Sequence, residues 1–296
     1  MRIILLFIIS FSMYSQTLEG FVIDSLTQEP LPYANISFLD RNIGVSADEN
    51  GFFKLDISKK ESENVLISFV GYESKIISLE KYVENRKYTQ KINLLPTTEV
   101  LEEVVLVEKQ LQKAKKTNVG TFHKKGVFLN SVPFGYEKAV FIENKTRKSG
   151  QITAVTLYFK SETNELYEPL EAFFRLNFYN VDDRGFPKET LSKELFLIKP
   201  GVKQQKIRVD LSNYGLPFPE KGIFVGVEVI NPTEKQPKGS LYVTKPSLVH
   251  THTDKNIVIT RFRGKEWYKN SKKSTFKKEY YAVPRVKMEV LLPNRE

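Results

Sequence analysis

Between residues 20 and 72 short apolar segments recur at even spacing, and each is closed by a turn signal. Phe21-Val22-Ile23 leads into Thr27-Gln28-Glu29-Pro30-Leu31-Pro32, after which Ala34, Ile36 and Phe38 alternate with Asn35 and Ser37. Two prolines withhold ladder N–H donors, so one strand must end there before the next begins. Asp48-Glu49-Asn50-Gly51 tolerates positive φ and stands before Phe53, Leu55 and Ile57, which alternate with Lys54 and Asp56. That pattern predicts a hairpin. Val65, Ile67 and Phe69 then run to Gly71, where a tight reversal would let Tyr72 fold back over the sheet end. The stretch reads as a small antiparallel β-sandwich.

Strand signals return from about Gly126. Ile152 to Phe159 and Phe173 to Tyr179 are rich in β-branched and aromatic residues, and Asp182-Asp183-Arg184-Gly185-Phe186-Pro187 separates the latter from Leu195 to Ile198. Ile207, Val209 and Leu211 alternate with Lys206, Arg208 and Asp210, the period of a half-exposed strand. Ile223 to Ile230 is nearly all apolar, as a central strand covered on both faces would be. Further strands are expected at Leu241 to Thr244, Asn256 to Phe262 and Val286 to Leu292, a set that suits a jelly-roll-like sandwich.

Four linked motifs carry a resemblance. Gly20-Phe21-Val22-Ile23-Asp24 opens, Glu29-Pro30-Leu31-Pro32-Tyr33-Ala34-Asn35-Ile36 follows, Asp48 to Phe53 reads D-x-x-G-x-F, and Ile67 to Glu73 reads I-x-F-V-G-Y-E. In this order they resemble the carboxypeptidase regulatory-like domain over residues 17–98. The resemblance implies a seven-stranded sandwich of transthyretin-like shape with no chemistry of its own. Such domains often precede outer-membrane transporters, and Leu101-Glu102-Glu103-Val104-Val105-Leu106 is similar to the segment before a transporter plug. Only 190 residues follow Leu106, too few for a plug and a 22-stranded barrel at roughly ten residues per strand. A zinc carboxypeptidase is excluded too, because none of His123, His250 and His252 has a Glu three residues on. The organisation expected is all-β: an N-terminal seven-stranded sandwich at 16–98, a basic linker at 99–125 and a C-terminal jelly-roll-like sandwich at 126–296.

Charge and the chain start refine the picture. Met1-Arg2 followed by Ile3 to Ile9 reads as the charged and apolar regions of a signal peptide over residues 1–15, with cleavage before Gln16. The apolar run is too short to span a bilayer, so no transmembrane segment is expected after cleavage. With no cysteine, the chain has neither disulfides nor an N-terminal lipid-bearing Cys. Residues 17–98 hold nine Lys and Arg against twelve Asp and Glu, so the net +10 of the chain resides in the second half and its linker. Lys109, Lys113, Lys115, Lys116, Lys124 and Lys125 crowd that linker, which reads as solvated and partly helical.

Four features compete for function. His250, His252 and Asp254 share one face of an extended segment, but two histidines without a third local ligand read as surface residues and no metal is assigned. Asn180 to Gly185 imitates a calcium loop, yet Arg184 takes a ligand position and the twelfth position is Leu191, so a turn is expected. Glu228 within an apolar strand is explained by a sheet edge or end. The run Arg261-Phe262-Arg263-Gly264-Lys265-Glu266-Trp267-Tyr268, continued by Lys272, Lys273, Lys277 and Lys278, interleaves cations with the single Trp. Arg261, Arg263, Trp267 and Tyr268 are therefore the candidate ligand residues, for a glycan or an anionic polymer; a solvated hairpin is the competing account.

No nucleophile elbow, phosphate loop or dinucleotide fingerprint occurs. The reading is a non-enzymatic, exported envelope binding protein, located in the periplasm, at the outer membrane or on the cell surface. It would have no cofactor, no nucleic-acid partner and an envelope protein as a further partner. The alternative is a carbohydrate-active or other hydrolase on a β-scaffold with dispersed acids, which two carboxylates about 5 to 10 Å apart in one pocket would favour.

Overall fold

The computed structural model describes residues 16–58, 62–80, 88–97, 114–122, 128–129, 132–161, 169–201, 203–233, 237, 242–269, 273–274 and 279–293. The expected signal peptide at 1–15, the linker residues 99–113 and 123–125 with His123, and Lys272, Lys277 and Lys278 lie outside the described residues.

The protein is all-β. Strands β1 (Thr17–Asp24), β2 (Asn35–Phe38), β3 (Gly44–Ser46), β4 (Phe52–Asp56), β5 (Asn64–Ser68), β6 (Lys75–Ser78) and β7 (Tyr88–Leu94) form two sheets, ordered β4-β1-β7 and β3-β2-β5-β6. Alternation buries Leu18, Val22, Ile36, Phe38, Phe53, Leu55, Val65, Ile67, Ile92 and Leu94 between them. Tyr72 does fold back: its hydroxyl donates to Asp24 Oδ2 at 2.7 Å and ties the fourth motif to the first. The Asp48 turn forms as expected, with Asp48 Oδ1 accepting from the Asn50 and Phe52 amides at 2.8 Å and Gly51 at φ 74°. It does not make a hairpin, because β3 pairs with β2 whereas β4 pairs with β1. Either pairing buries Phe53 and Leu55, so the period cannot choose between them.

The second half opens with β8 (Lys115–Gly120), β9 (Phe128–Leu129), β10 (Tyr136–Glu143), β11 (Gly150–Lys160), β12 (Leu170–Glu171), β13 (Phe173–Val181), β14 (Pro187–Thr190), β15 (Phe196–Ile198), β16 (Lys206–Asp210) and β17 (Pro217–Phe218). It continues with β18 (Gly222–Ile230), β19 (Thr244–Lys245), β20 (Ser247–Thr253), β21 (Val258–Phe262), β22 (Tyr268–Lys269), β23 (Tyr281–Pro284) and β24 (Val286–Leu292). One sheet runs β14-β13-β18-β10-β21-β22 with β15 on β13, and the facing sheet runs β23-β20-β11-β24-β8 with β16 and β17 on β11. The long strands β10, β11, β13, β16, β18, β20, β21 and β24 pass back and forth between these sheets, and Ile152, Leu157, Phe174, Leu176, Phe178, Val225, Val227, Met288 and Val290 fill the space between.

The apolar strand at Ile223 to Ile230 is central and wholly buried, and β16 shows the expected half-exposed alternation. Three expectations change. Lys115–Gly120, read as part of a solvated connector, is a strand paired with β24, and the ladder explains why its lysines can point to solvent while its backbone is ordered. Of the expected strand at Leu241 to Thr244, Leu241 lies outside the described residues, and the described part is strand only at Thr244–Lys245, paired with β12. Tyr136–Glu143, not anticipated as a strand, is the bridge between β18 and β21. Among the described residues no helix is long and apolar enough to cross a membrane.

Candidate functional site

On the outer face of the β14-to-β22 sheet, register places four charged residues in one row. Arg175 lies opposite Glu228, Glu228 opposite Glu137, and Glu137 opposite Arg261, on four adjacent strands. Arg175, Glu228 and Glu137 are 1%, 2% and 1% exposed. Burial of such charges is costly unless each is paired and its remaining hydrogen-bonding atoms are largely satisfied; in this row Arg175 Nε has no partner among the described residues. Glu137 Oε1 accepts from Asn177 Nδ2 and from the Tyr179 hydroxyl, each at 2.8 Å, and Oε2 accepts from Arg261 Nε at 2.7 Å. The Arg261 Nη2 donates to the Tyr179 oxygen at 2.7 Å. Burial works against the Arg261 cation, yet Glu137, with Tyr179 and Glu228, more than offsets it and holds its pKa above the ordinary arginine value. Burial also raises the Tyr179 phenol well above its usual range. At Gly226 a Cβ would collide with Glu137 Oε1, so only glycine lets the carboxylate reach over β18.

The N-terminal sandwich covers this row. Ser46, Asn35 and Ser68 stand opposite one another across β3, β2 and β5, a polar row on the outer face of that sheet. Asn35 Nδ2 donates to Glu228 Oε1 at 2.7 Å while its Oδ1 accepts from Arg263 Nη1 at 3.1 Å. Arg175 donates through Nη1 to Glu228 Oε2 at 3.2 Å and through Nη2 to the Tyr33 carbonyl at 2.6 Å, and its guanidinium lies 4.8 Å from the centre of the Phe69 ring. Four β-sheets are thereby stacked, and the joint in the middle is polar.

Beside the joint the same outer face turns apolar. Ala139, Tyr179, Phe224 and Ile259 are buried there under half-buried Phe141, Val181, Phe186, Trp267 and Val70, the last from the N-terminal sandwich. The Arg261 guanidinium lies 4.2 Å from the Trp267 ring centre, and Tyr179 meets Trp267 edge-on at 5.4 Å. The edge of the buried charge row is therefore roofed by the indole.

The expected ligand residues do not form one exposed basic face. Arg261 is spent on Glu137 and Tyr179. Arg263 is 3% exposed and donates to Asn35 and to Ser46 Oγ, the latter at 2.8 Å. Trp267 belongs to the aromatic surface, whereas exposed Tyr268, opposite Thr260, takes the other side of its extended segment. Spacing along the chain brought these four together; the fold turns two of them inward.

Glu228 is likewise corrected, from sheet edge to the middle of a central strand, where Arg175 and Asn35 hold it. The two carboxylates that a hydrolase would need do sit on neighbouring strands, as Glu137 and Glu228. Both oxygens of each already accept hydrogen bonds from this chain, which leaves neither placed as an acid or base toward a substrate.

His250 and His252, expected at the surface, are 0% and 8% exposed on β20. Nδ1 of His250 lies 3.0 Å from the Leu248 carbonyl and its Nε2 lies 3.3 Å from Lys138 Nζ, while His252 Nε2 lies 3.0 Å from Ser274 Oγ. Burial, with Lys138 second, holds the His250 pKa well below its usual value, and burial pushes the Lys138 ammonium down to about 8. No group of three or more His, Cys, Asp or Glu suited to a metal ion occurs among the described residues. The calcium-like segment is a turn, in which Asp182 Oδ1 accepts from the Arg184 and Phe186 amides at 2.9 and 2.7 Å.

The chain has no match among curated proteins. Two solved structures from Bacteroides uniformis ATCC 8492 are similar at low level. One, named "putative carbohydrate binding protein", is 9% identical with a TM-score of 0.22 and covers 83% of this chain and 98% of its own. The other, a DUF3823 family protein, is 10% identical with a TM-score of 0.21 and covers 94% of this chain and 100% of its own. Likenesses of that size carry no argument about the ligand of this chain. The family model for the CarboxypepD_reg-like domain matches residues 18–106. The motifs from Gly20 to Glu73, the seven strands they build and this match together identify the N-terminal sandwich as a CarboxypepD_reg-like domain.

Proposed function

We propose that the protein is an exported, non-enzymatic binding protein of the cell envelope, periplasmic, outer-membrane associated or at the cell surface, and that it holds an uncharged glycan on the surface formed by Trp267, Phe141 and Phe186. The observation that carries this reading is a half-buried aromatic layer bordering a polar row whose charges are neutralised within the chain. Aromatic rings with a few fixed polar groups suit a ligand that has apolar faces and a hydroxyl rim, as sugars do. A polyanion would need free cations, and Arg261 and Arg263 are committed elsewhere. The charged and apolar start of the sequence, Met1 to Ile9, supports export.

Titration of the full chain with a panel of neutral and acidic oligosaccharides tests the reading. A neutral member should bind, its affinity should change little with ionic strength because no exposed ion pair forms, and Trp267→Ala should weaken it at least about tenfold, ~1.4 kcal/mol. Acidic ligands alone binding, with steep salt dependence and no effect of Trp267→Ala, would overturn it.

A further inference from the structure

We propose that the CarboxypepD_reg-like domain acts as the positioning element of the Trp267 surface, with Arg263 as the positioning residue. This extends the function proposed above, but its own test does not need a ligand. The segment from Arg263 to Trp267 connects β21 to β22, and the N-terminal sandwich grips it at several places. Ser68 Oγ donates to the Arg263 carbonyl at 3.1 Å, Arg263 Nη1 donates to Asn35 Oδ1 and Ser46 Oγ, and Lys265 Nζ donates to the Arg41 carbonyl at 2.6 Å. From its own half of the chain the segment receives the Gly135 carbonyl, which accepts from the Arg263 amide at 2.8 Å. Val70 then packs in the same apolar layer as Trp267. One side of the surface is therefore built by the N-terminal sandwich.

The conformation of this segment needs that grip. Arg263 has φ 44°, in the left-handed region that a non-glycine residue adopts at a cost, and such conformations persist only where surrounding contacts over-determine them. Among the described residues its buried cation makes no ion-pair contact with a carboxylate and donates to the neutral oxygens of Asn35 and Ser46; burial brings its pKa down to about 10, although the charge of Glu228 works the other way. Gly264 follows at φ 72°, and a Cβ there would collide with the Ser68 side chain, so the turn is cut to the shape of the sheet above it. Asn35 serves both neighbours at once: its amide nitrogen donates to Glu228 and its amide oxygen accepts from Arg263. Removing these contacts leaves the strained turn and the buried cation without their partners, and the chain beyond, carrying Trp267, is released.

Because Trp267 is the single tryptophan, its emission reads this segment directly. Acrylamide quenching is measured on the full chain, on Asn35→Ala, and on the milder Ser46→Ala/Ser68→Ala pair, with circular dichroism checking that the sheets persist. The expected result is an increase in the quenching constant of about twofold or more in both variants, as for a locally released segment, with Ser46→Thr, which keeps the hydroxyl, close to the unaltered chain. Should Asn35→Ala not fold, the serine pair alone decides. Unchanged quenching in the folded variants overturns the proposal. Increased quenching together with a failure of every oligosaccharide to bind supports the positioning role while discarding the glycan reading.

Discussion

The two outer faces of the C-terminal sandwich use the same ion pair to opposite effect. On the sheet that contains β11 and β24, Arg208 donates from Nε and Nη2 to the two oxygens of Glu289 at 3.0 and 2.9 Å, and Lys116 Nζ approaches Glu289 at 2.7 Å. The Arg208 and Lys116 side chains are 41% and 59% exposed. On the other sheet the Arg175 and Glu228 side chains alone are 2% and 3% exposed and lie under the N-terminal domain. The Glu289 side chain is itself only 8% exposed, but its cations reach it from solvent, and a pair with exposed partners gains little because water already serves them. A buried pair gains little as a pair either, since desolvation consumes the attraction, but it makes the loss of one partner severe. The exposed ladder therefore decorates a sheet, whereas the buried row dictates how two sandwiches fit.

Glu228→Leu breaks the comparison most forcefully. It strands Arg175 in the joint and should lower stability by about 3–5 kcal/mol, measured by urea denaturation. Combining it with Arg175→Met should recover most of that loss, and a double variant no more stable than the single would mean that the pair itself, not the uncompensated charge, supplies the energy. Next in size, Gly226→Ala should cost about 1–3 kcal/mol by displacing Glu137 from Tyr179 and Arg261; a cost near zero would show that the row has slack.

Lys138 sharpens the role of burial through pH. Its folded pKa of about 8 lies below the unfolded value of about 10.4, so between these the unfolded chain binds more protons and stability should rise with pH. Lys138→Met should be more stable than the unaltered chain at neutral pH and should lack that rise, as followed by thermal melts across this window.

The smallest effects belong to the exposed face. Arg208→Ala should cost about 1 kcal/mol, since Lys116 still approaches the buried Glu289 carboxylate, and less at high salt. Glu289, held down to about 2 first by the Arg208 hydrogen bonds, contributes stability that is fully present above its unfolded pKa of about 4.3 and is lost as pH falls toward 2. Glu289→Gln should remove that acid dependence, and an unchanged acid limb would assign it to other carboxylates.

Local chemistry made much of the fold legible. Pro30, Pro32, Asp48, Gly51 and Gly71 mark the ends of strands because donors and allowed dihedrals are properties of single residues. Ile223 to Ile230 announces a central strand by its apolarity, and the structure buries it throughout. Tyr136–Glu143 escaped because Glu137 and Lys138 stand where a half-buried strand would show alternation; each looks polar until its partner, half-buried Arg261 or buried His250, is in view. Of the site, Trp267 was visible as the lone indole in a basic run, but Glu137, Tyr179 and Phe141 carried no signal that separates them from ordinary strand residues.

What the sequence determined by itself is the all-β character, the turn positions and the kind of domain at the N-terminus, since periodicity, proline and glycine act over a few residues. Which strands pair, and so which charges meet, was decided by the tertiary structure alone. Asn35, Glu228 and Arg263 are far apart along the chain and converge within 3.1 Å only when one sheet lies on another. The physical reason is that the meaning of a charge depends on its dielectric surroundings: Arg208 and Arg263 are the same side chain, and only the packing above Arg263 turns a surface cation into the centre of a joint.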